Sequence, residues 1–142
     1  MNAISSLKPG AFDPTFGPKH DGKLFLTYSD YVTTSGRLVS QAPNGKIYIG
    51  GTSWAPESPL PEHFSLTRVL SDGTLDSEFG IAGTAHIKLK VPGTESLGST
   101  PIQLFYITHE GEDKLLISVG SYTMGVGAVS YTHLTLPTNR EV

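Results

Sequence analysis

The chain has 142 residues and a formal net charge of -3, from 10 Lys and Arg against 13 Asp and Glu. This balance excludes the basic surface that is typical of nucleic-acid-binding domains. Because the sequence contains no cysteine, disulfide bonds and thiolate chemistry are excluded as well. Sixteen glycines and ten prolines make the chain rich in turns, which favours an all-β fold of short strands.

The first part of the chain carries no apolar stretch of the kind found in a secretory signal peptide. The longest apolar runs, such as Leu104–Ile107, are far too short to cross a bilayer. We therefore expect no membrane span in this sequence.

The first half of the chain carries four candidate strands, which are short and rich in apolar and aromatic residues. They are residues 23–28, 37–42, 46–53 and 63–70. The dipeptide Asn44-Gly45, between the second and the third, is the strongest short signal for a β-hairpin. At the end of the third candidate strand, Gly50 and Gly51 indicate a β-bulge or a close approach of two backbones.

Three more candidate strands follow at residues 84–91, 101–108 and 114–120. The first of them alternates apolar and polar residues, as a half-solvated antiparallel strand does. The polar segment Glu110–Asp113 takes the place of the first hairpin turn. Since no stretch shows a sustained apolar period of 3.6 residues, we predict no long helix.

Two ten-residue stretches, KPGAFDPTFG at 8–17 and SDGTLDSEFG at 71–80, match each other in residue type and spacing. Such a stretch predicts a tight corner, since glycine adopts positive φ, aspartate accepts backbone hydrogen bonds and phenylalanine can be buried. We expect this corner to join one sheet to the next. The matching pairs, each 63 residues apart, are Gly10 and Gly73, Asp13 and Asp76, Phe16 and Phe79, and Gly17 and Gly80.

The repeating unit is about 60 to 70 residues long and carries four strand candidates, which is typical of one blade of a β-propeller. The sequence therefore predicts two four-stranded antiparallel blades. Because a closed propeller normally needs at least four blades, we expect an incomplete, open fragment of a longer protein.

The segments 43–51, 64–68 and 71–80 together resemble the delta-60 repeat, a bacterial β-propeller repeat of unknown function. The resemblance covers residues 8–120 and departs from the pattern at Pro9, at Phe12 and at Glu112–Lys114, which suggests drifted repeats. It implies propeller architecture and no catalytic residues. It also implies a bacterial protein, often a large surface or secreted one. Because this chain carries no classical signal peptide, its expected location stays open between the bacterial cytoplasm and non-classical export to the cell surface. The residues that carry the resemblance are Gly45, Gly50, Gly51, Arg68, Asp72, Gly73, Leu75, Asp76, Phe79 and Gly80.

We expect an N-terminal extension at 1–7, a first repeat at 8–70, a truncated second repeat at 71–129 and a non-native tail at 130–142. The tail, SYTHLTLPTNREV, abandons the repeat and resembles a terminus seen on unrelated proteins from shotgun sequence assemblies, as if translated from an adapter. The alternative is a native final strand, in which Tyr131, His133 and Thr135 alternate with Thr132, Leu134 and Leu136.

Candidate functional residues are few. The histidines are scattered without a metal-binding motif, so we interpret them as surface or strand-face residues; they are His20, His63, His86, His109 and His133. Asp13, Asp72 and Asp76 are candidate ligands of a hard cation such as Ca²⁺, although a structural turn explains them more simply. Trp54 and Tyr48 are candidates for stacking on a sugar or a peptide, or for filling the space between blades.

The sequence thus predicts a non-catalytic scaffold or binding module without a cofactor. Its expected partners are the remaining blades of a longer parent chain and a protein or glycan ligand. One alternative is part of a propeller enzyme that hydrolyses lactones or cleaves glycans with a metal. Another is a truncated fragment without an independent function, which self-associates through its exposed strand edges.

Overall fold

A computed structural model describes residues 7–28, 31, 33–57, 63–87, 96–123 and 126–134, and these residues form an all-β fold. Sheet A has four strands: β1 (Thr33–Gln41), β2 (Ile47–Trp54), β3 (His63–Val69) and β4 (Thr84–Ile87). Sheet B has three strands: β5 (Ser96–His109), β6 (Glu112–Thr123) and β7 (Val126–Leu134). In both sheets each strand pairs antiparallel with the next along the chain. The described residues include no helix that is long and apolar enough to cross a membrane.

Most of the predicted strands are confirmed, with ends that shift by a few residues. The prediction at 84–91 is realised as β4 over its first four residues, while 88–91 lie outside the described residues. The strand predicted at 23–28 is wrong, because that segment belongs to neither sheet. Its place as the fourth strand of sheet A is taken by β4, so the sheet extends across the predicted repeat boundary at 70 and 71.

Strand alternation gives sheet A two different faces. Along β2 and β3, the side that we call the front face carries Tyr48, Gly50, Phe64 and Leu66. The opposite side, the back face, carries Ile49, Gly51, Ser53, Ser65 and Thr67. The front face therefore carries most of the apolar core side chains, whereas the back face carries small hydroxyl side chains at Ser53, Ser65 and Thr67.

Sheet B packs on the front face of sheet A and forms the hydrophobic core with it. Its contribution comes from Leu104, Leu115, Ile117 and Val119, all of which are buried. Gly50 faces sheet B, since a Cβ at this position would lie at van der Waals distance, 3.7 Å, from Cδ2 of Leu104. Full burial of each such side chain is worth about 1.5–3 kcal/mol, so neither sheet keeps this core without the other.

The hairpins follow the predicted turn chemistry. At the first turn, Gly45 has φ of 85° and its N–H donates to the carbonyl of Ala42 at 2.9 Å. At the second, Glu110 and Gly111 have φ of 54° and 77°, the positive values that a two-residue hairpin turn requires. The predicted close approach at the glycine pair is present, because a Cβ on Gly51 would lie 2.1 Å from the carbonyl oxygen of Ser35.

The second corner joins two strands of one sheet, so the expectation that it leads from one sheet to the next is wrong. It connects β3 to β4 within sheet A. The chain turns back onto β3 because the N–H of Asp76 donates to the carbonyl of Arg68 at 3.0 Å. The N–H of Arg68 in turn donates to the carbonyl of Gly83 at 2.9 Å. The passage from sheet A to sheet B comes only after β4.

The two corners share a backbone conformation and touch each other. Gly10 and Gly73 have φ of 82° and 83°. The N–H of Phe16 donates to the carbonyl of Asp13 at 3.1 Å, and the matching bond from Phe79 to Asp76 is 3.0 Å. A bond of 2.7 Å from the N–H of Gly17 to the carbonyl of Asp72 links the first corner to the second.

Alanine substitution at Gly10 and at Gly73 should distinguish the cost of backbone strain from the cost of losing the contact between the two corners. Both substitutions force alanine to positive φ, so we expect Gly10→Ala to lower the free energy of unfolding by about 1 kcal/mol. A Cβ at Gly10 meets nothing within 4 Å, but one at Gly73 would lie 2.5 Å from the backbone nitrogen of Gly17. Because the corners must then separate, we expect Gly73→Ala to cost about 3 kcal/mol in urea denaturation. Equal losses would contradict the contact.

Candidate functional site

A row of polar side chains crosses the back face of sheet A from β2 to β4. Ser53 and Ser65 share a hydrogen bond of 2.7 Å between their Oγ atoms. The Oγ of Ser65 also lies 2.8 Å from Nδ1 of His86, in hydrogen-bonding contact. Since β3 lies between β2 and β4, the antiparallel register brings side chains from three separate segments into one row.

A second row of hydroxyl groups ties the segment 23–28 to the same face. The hydroxyl of Tyr28 lies 2.5 Å from Oγ1 of Thr67, and Thr67 lies 3.0 Å from Oγ1 of Thr84. Leu26 lies beside Tyr28 and borders the back face near Gly51. These contacts explain why 23–28 does not pair as a strand: its side chains cover the back face instead of extending the sheet edge.

Aromatic rings surround His86 at the end of this network. The ring centroids of Tyr28 and His86 are 4.7 Å apart with an interplanar angle of 85°, an edge-to-face contact. Tyr31 lies 4.4 Å from the His86 ring and 5.4 Å from the ring of His63. Four rings from three separate segments therefore meet at one point of the back face.

An open cavity of 290 Å³ lies beside these rings, and we call it the aromatic cleft. One wall comes from residues 25–28 and Tyr31, another from the second corner, and the floor from Thr84 and His86. At the rim, Phe25 and Ile81 are 75% and 87% exposed. The cleft thus combines apolar walls with a polar floor.

The serine–histidine pair under the cleft resembles a nucleophile next to its base, but its burial argues against that role. Ser65 is 2% exposed and Ser53 is 0% exposed. Each hydroxyl is engaged by the other, so a substrate has no path to either oxygen. The network therefore satisfies polar groups on a covered face, as buried polar groups generally require.

Asp76, a predicted cation ligand, is held by two cationic side chains. Its Oδ2 lies 2.8 Å from Nε of Arg68 and 2.8 Å from Nζ of Lys46, and its Oδ1 accepts a bond from the N–H of Glu78. Burial alone would raise the pKa of Asp76, but the hydrogen bonds from Lys46 and Arg68 outweigh it and lower the pKa. Both carboxylate oxygens are thus already occupied.

Asp13 and Asp72 occupy matching local turns. The Oδ1 of Asp13 accepts bonds from the N–H and the hydroxyl of Thr15, at 2.8 and 2.7 Å. Asp72 accepts the same pair from Thr74, at 2.9 and 2.7 Å. These bonds lower the pKa of both aspartates. Among the described residues, no three His, Asp or Glu side chains stand close enough together to hold a metal ion.

The matching phenylalanines have different surroundings, although their backbones agree. Phe79 is buried beneath the guanidinium of Arg68, which lies 4.9 Å from the ring centroid. Phe16 is half-buried and lies against Gly73. The sequence explains the difference, because the residue 63 positions before Arg68 is Ser5, which cannot supply a guanidinium.

The two predicted aromatic candidates occupy different environments. Tyr48 is buried between the sheets, in edge contact with Phe79 at 6.1 Å and stacked on Tyr106 at 6.3 Å. A ring in this position presents no face to a ligand. The hydroxyl of Tyr106, the ring stacked on Tyr48, donates a hydrogen bond to the Asp113 carboxylate. This bond is the main cause that raises the pKa of Tyr106 to about 12. Trp54 is half-buried at the end of β2, away from the residues that line the aromatic cleft.

Sequence reasoning missed the aromatic cleft because its members come from distant segments. One signal was available: His63, Ser65 and Thr67 alternate with Phe64, Leu66 and Arg68 along β3. This alternation indicates a polar face opposite the core. It does not indicate that Tyr28 and Tyr31 cover that face, which depends on the path of an unpaired segment.

No family model matches the chain, and comparison with curated proteins and with solved structures finds no match either.

The two matching aspartates provide a test of the buried ion pair. We expect Asp76→Asn to lower the free energy of unfolding near neutral pH by about 3 kcal/mol, because it leaves buried Arg68 without its counter-charge. The folded pKa of Asp76 is lowered, so its contribution is complete above about pH 4 and is lost as the pH falls through the folded pKa.

Urea denaturation of both proteins across the acid range measures this effect. The gap between wild type and Asp76→Asn should narrow as the pH falls. Asp13→Asn is the matched control, since its exposed carboxylate accepts hydrogen bonds from Thr15 in the same corner geometry, and it should lower stability much less than Asp76→Asn does. Similar losses for both variants would contradict the role of the ion pair.

Removal of the Tyr28 hydroxyl should test whether the segment 23–28 covers the back face of sheet A. We expect Tyr28→Phe to lower the free energy of unfolding by about 1 kcal/mol, because Thr67 loses one partner and keeps Thr84. Tyr28→Ala should in addition speed amide exchange at Ser65 and Thr67, since it uncovers that part of the sheet. Unchanged exchange in Tyr28→Ala would show that the segment does not cover the face.

Proposed function

We propose that this chain is a non-catalytic segment of stacked antiparallel sheets, built like successive blades of a β-propeller, that serves as a scaffold or binding module. The remaining blades of a longer chain are its natural partners in this proposal. The observation that carries it is the way in which one sheet contacts the next.

The β1–β2 and β5–β6 hairpins are equivalent by sequence offset and by register. Lys46 and Lys114, 68 residues apart, precede Ile47 and Leu115, which open equivalent stretches of β2 and β6. Two steps further, Ile49 pairs with Val39, and Ile117 pairs with Leu104. The equivalence holds although eight residues separate the equivalent pair Tyr106 and Leu115 in the second hairpin, against five between Gln41 and Ile47 in the first.

Sheet A and sheet B contact each other through faces that are not equivalent in the two sheets. Ile49 lies on the back face of sheet A, whereas its equivalent Ile117 is buried against the front face of sheet A. The front of sheet A therefore meets the face of sheet B that corresponds to the back of sheet A. Head-to-tail stacking of this kind is what a repeated unit produces when every copy sits in the same orientation.

The aromatic cleft is the described surface that suits a ligand best. Its volume of 290 Å³ is near the lower end of the range of about 300–1,000 Å³ for small-molecule sites. Aromatic walls such as Phe25 and Tyr31 stack on flat apolar groups, including the faces of sugars and the rings of peptide side chains. Because the hydroxyl of Ser65 is buried, we assign the cleft a binding role and no catalytic one.

A charge placed between the sheets should test the stack. Leu104 is 7% exposed and points to sheet A, while its neighbour Phe105 points outward and is 50% exposed. We expect Leu104→Asp to lower the free energy of unfolding by at least about 3 kcal/mol, because a buried carboxylate lacks a partner there. Phe105→Asp, studied in dilute solution, should change it by less than about 0.5 kcal/mol.

Amide hydrogen exchange reports whether the sheets depend on each other. In Leu104→Asp, protection at Tyr48 and Leu66 in sheet A should fall together with protection at Leu115 in sheet B. If sheet A keeps its protection, the two sheets do not form one cooperative stack and the proposed function loses its basis.

A further inference from the structure

We propose that the outward face of sheet B docks on the back face of sheet A in a second copy of this chain, and so repeats the interface within the chain. This inference rests on the head-to-tail stack of the proposed function. It names the partner surface and the partner.

The outward face of sheet B corresponds to a surface that is covered in sheet A. By register, Phe105 is equivalent to Ser40, and Leu116 is equivalent to Tyr48. Ser40 accepts a hydrogen bond from the N–H of Tyr106, so this part of sheet A is under sheet B. The equivalent part of sheet B is open and more apolar, since it carries Phe in place of Ser.

The back face of sheet A offers the complementary surface. Val39 is equivalent to Leu104, and Gln41 is equivalent to Tyr106. Leu104 is buried in the interface within the chain, whereas Val39 is 68% exposed and Gln41 is exposed. Tyr28 lies over Thr67 and Leu26 lies near Gly51, and neither covers Val39, which stays exposed.

The internal interface predicts which residues of the two copies meet. Within the chain, Ser40 and Tyr48 contact Tyr106. In the proposed contact between copies, each of these residues is replaced by its equivalent in the other sheet. Phe105 and Leu116 of one copy then lie against Gln41 of the next copy.

Each chain carries both surfaces of this interface, the outward face of sheet B and the back face of sheet A. The outward face of sheet B is apolar and exposed around Phe105. The net charge of -3 is small, so charge repulsion between copies is weak. A contact of this type is heterologous, and it either closes into a ring or continues as an open stack. A second copy of the chain is therefore the partner to which these two faces are matched.

Single cysteines provide a test, because the chain has no cysteine of its own. We would mix Phe105→Cys with Gln41→Cys under mild oxidation and measure disulfide-linked dimers by mass spectrometry. Each variant carries one cysteine, so every disulfide joins two chains. Glu110→Cys, at the exposed tip of the second hairpin, is the matched control partner for Phe105→Cys.

We expect heterodimers of Phe105→Cys with Gln41→Cys to form about tenfold faster than those with Glu110→Cys, because docking raises the effective concentration of the thiols. Predominant homodimers of Phe105→Cys would show a face-to-face contact and overturn the proposal. Equal rates with the control would also overturn it. If Leu104→Asp uncouples the sheets as expected but cross-linking fails, the proposed stacking of sheets within the chain is supported. Only the proposed docking between copies is then contradicted.

Discussion

The burial of the front face of sheet A against sheet B is the constraint on which this molecule depends. Phe64 and Leu66 from one sheet and Leu115 and Ile117 from the other form a single core, and each sheet has no second apolar layer of its own among the described residues. Gly50 lies at this contact, where a Cβ would be 3.7 Å from Cδ2 of Leu104. The stability of the fold is therefore a property of the contact between sheets more than of either sheet alone.

The back face follows a different physical rule. Its buried side chains include the hydroxyls of Ser53, Ser65 and Thr67, so it is stabilised in part through hydrogen bonds, as between Ser65 and His86. An unpaired segment supplies part of that cover through Tyr28. Where the cover meets the second corner, the surface stays open and forms the aromatic cleft. The site arises because one short segment shields only part of a sheet face.

The second corner shows how a local motif acquires a role that its sequence alone does not reveal. Asp13 and Asp76 both accept a hydrogen bond from the N–H two residues later. Only Asp76 also meets the side chains of Arg68 and Lys46, which reach it from β3 and from the first hairpin. The motif thus sets the turn, while the surrounding strands decide whether its carboxylate also anchors the corner to the sheet.

The sequence by itself determined the strand-rich character, the hairpin at Gly45 and the backbone of both corners, because these depend on φ preferences and on bonds between near neighbours. Only the tertiary structure decided that β4, and not residues 23–28, completes sheet A, and that Tyr28 lies on the back face. Pairing and coverage between distant segments depend on which apolar and polar surfaces can be satisfied together. That balance involves residues far apart in the chain, such as Tyr28 and Thr67, and no local pattern records it.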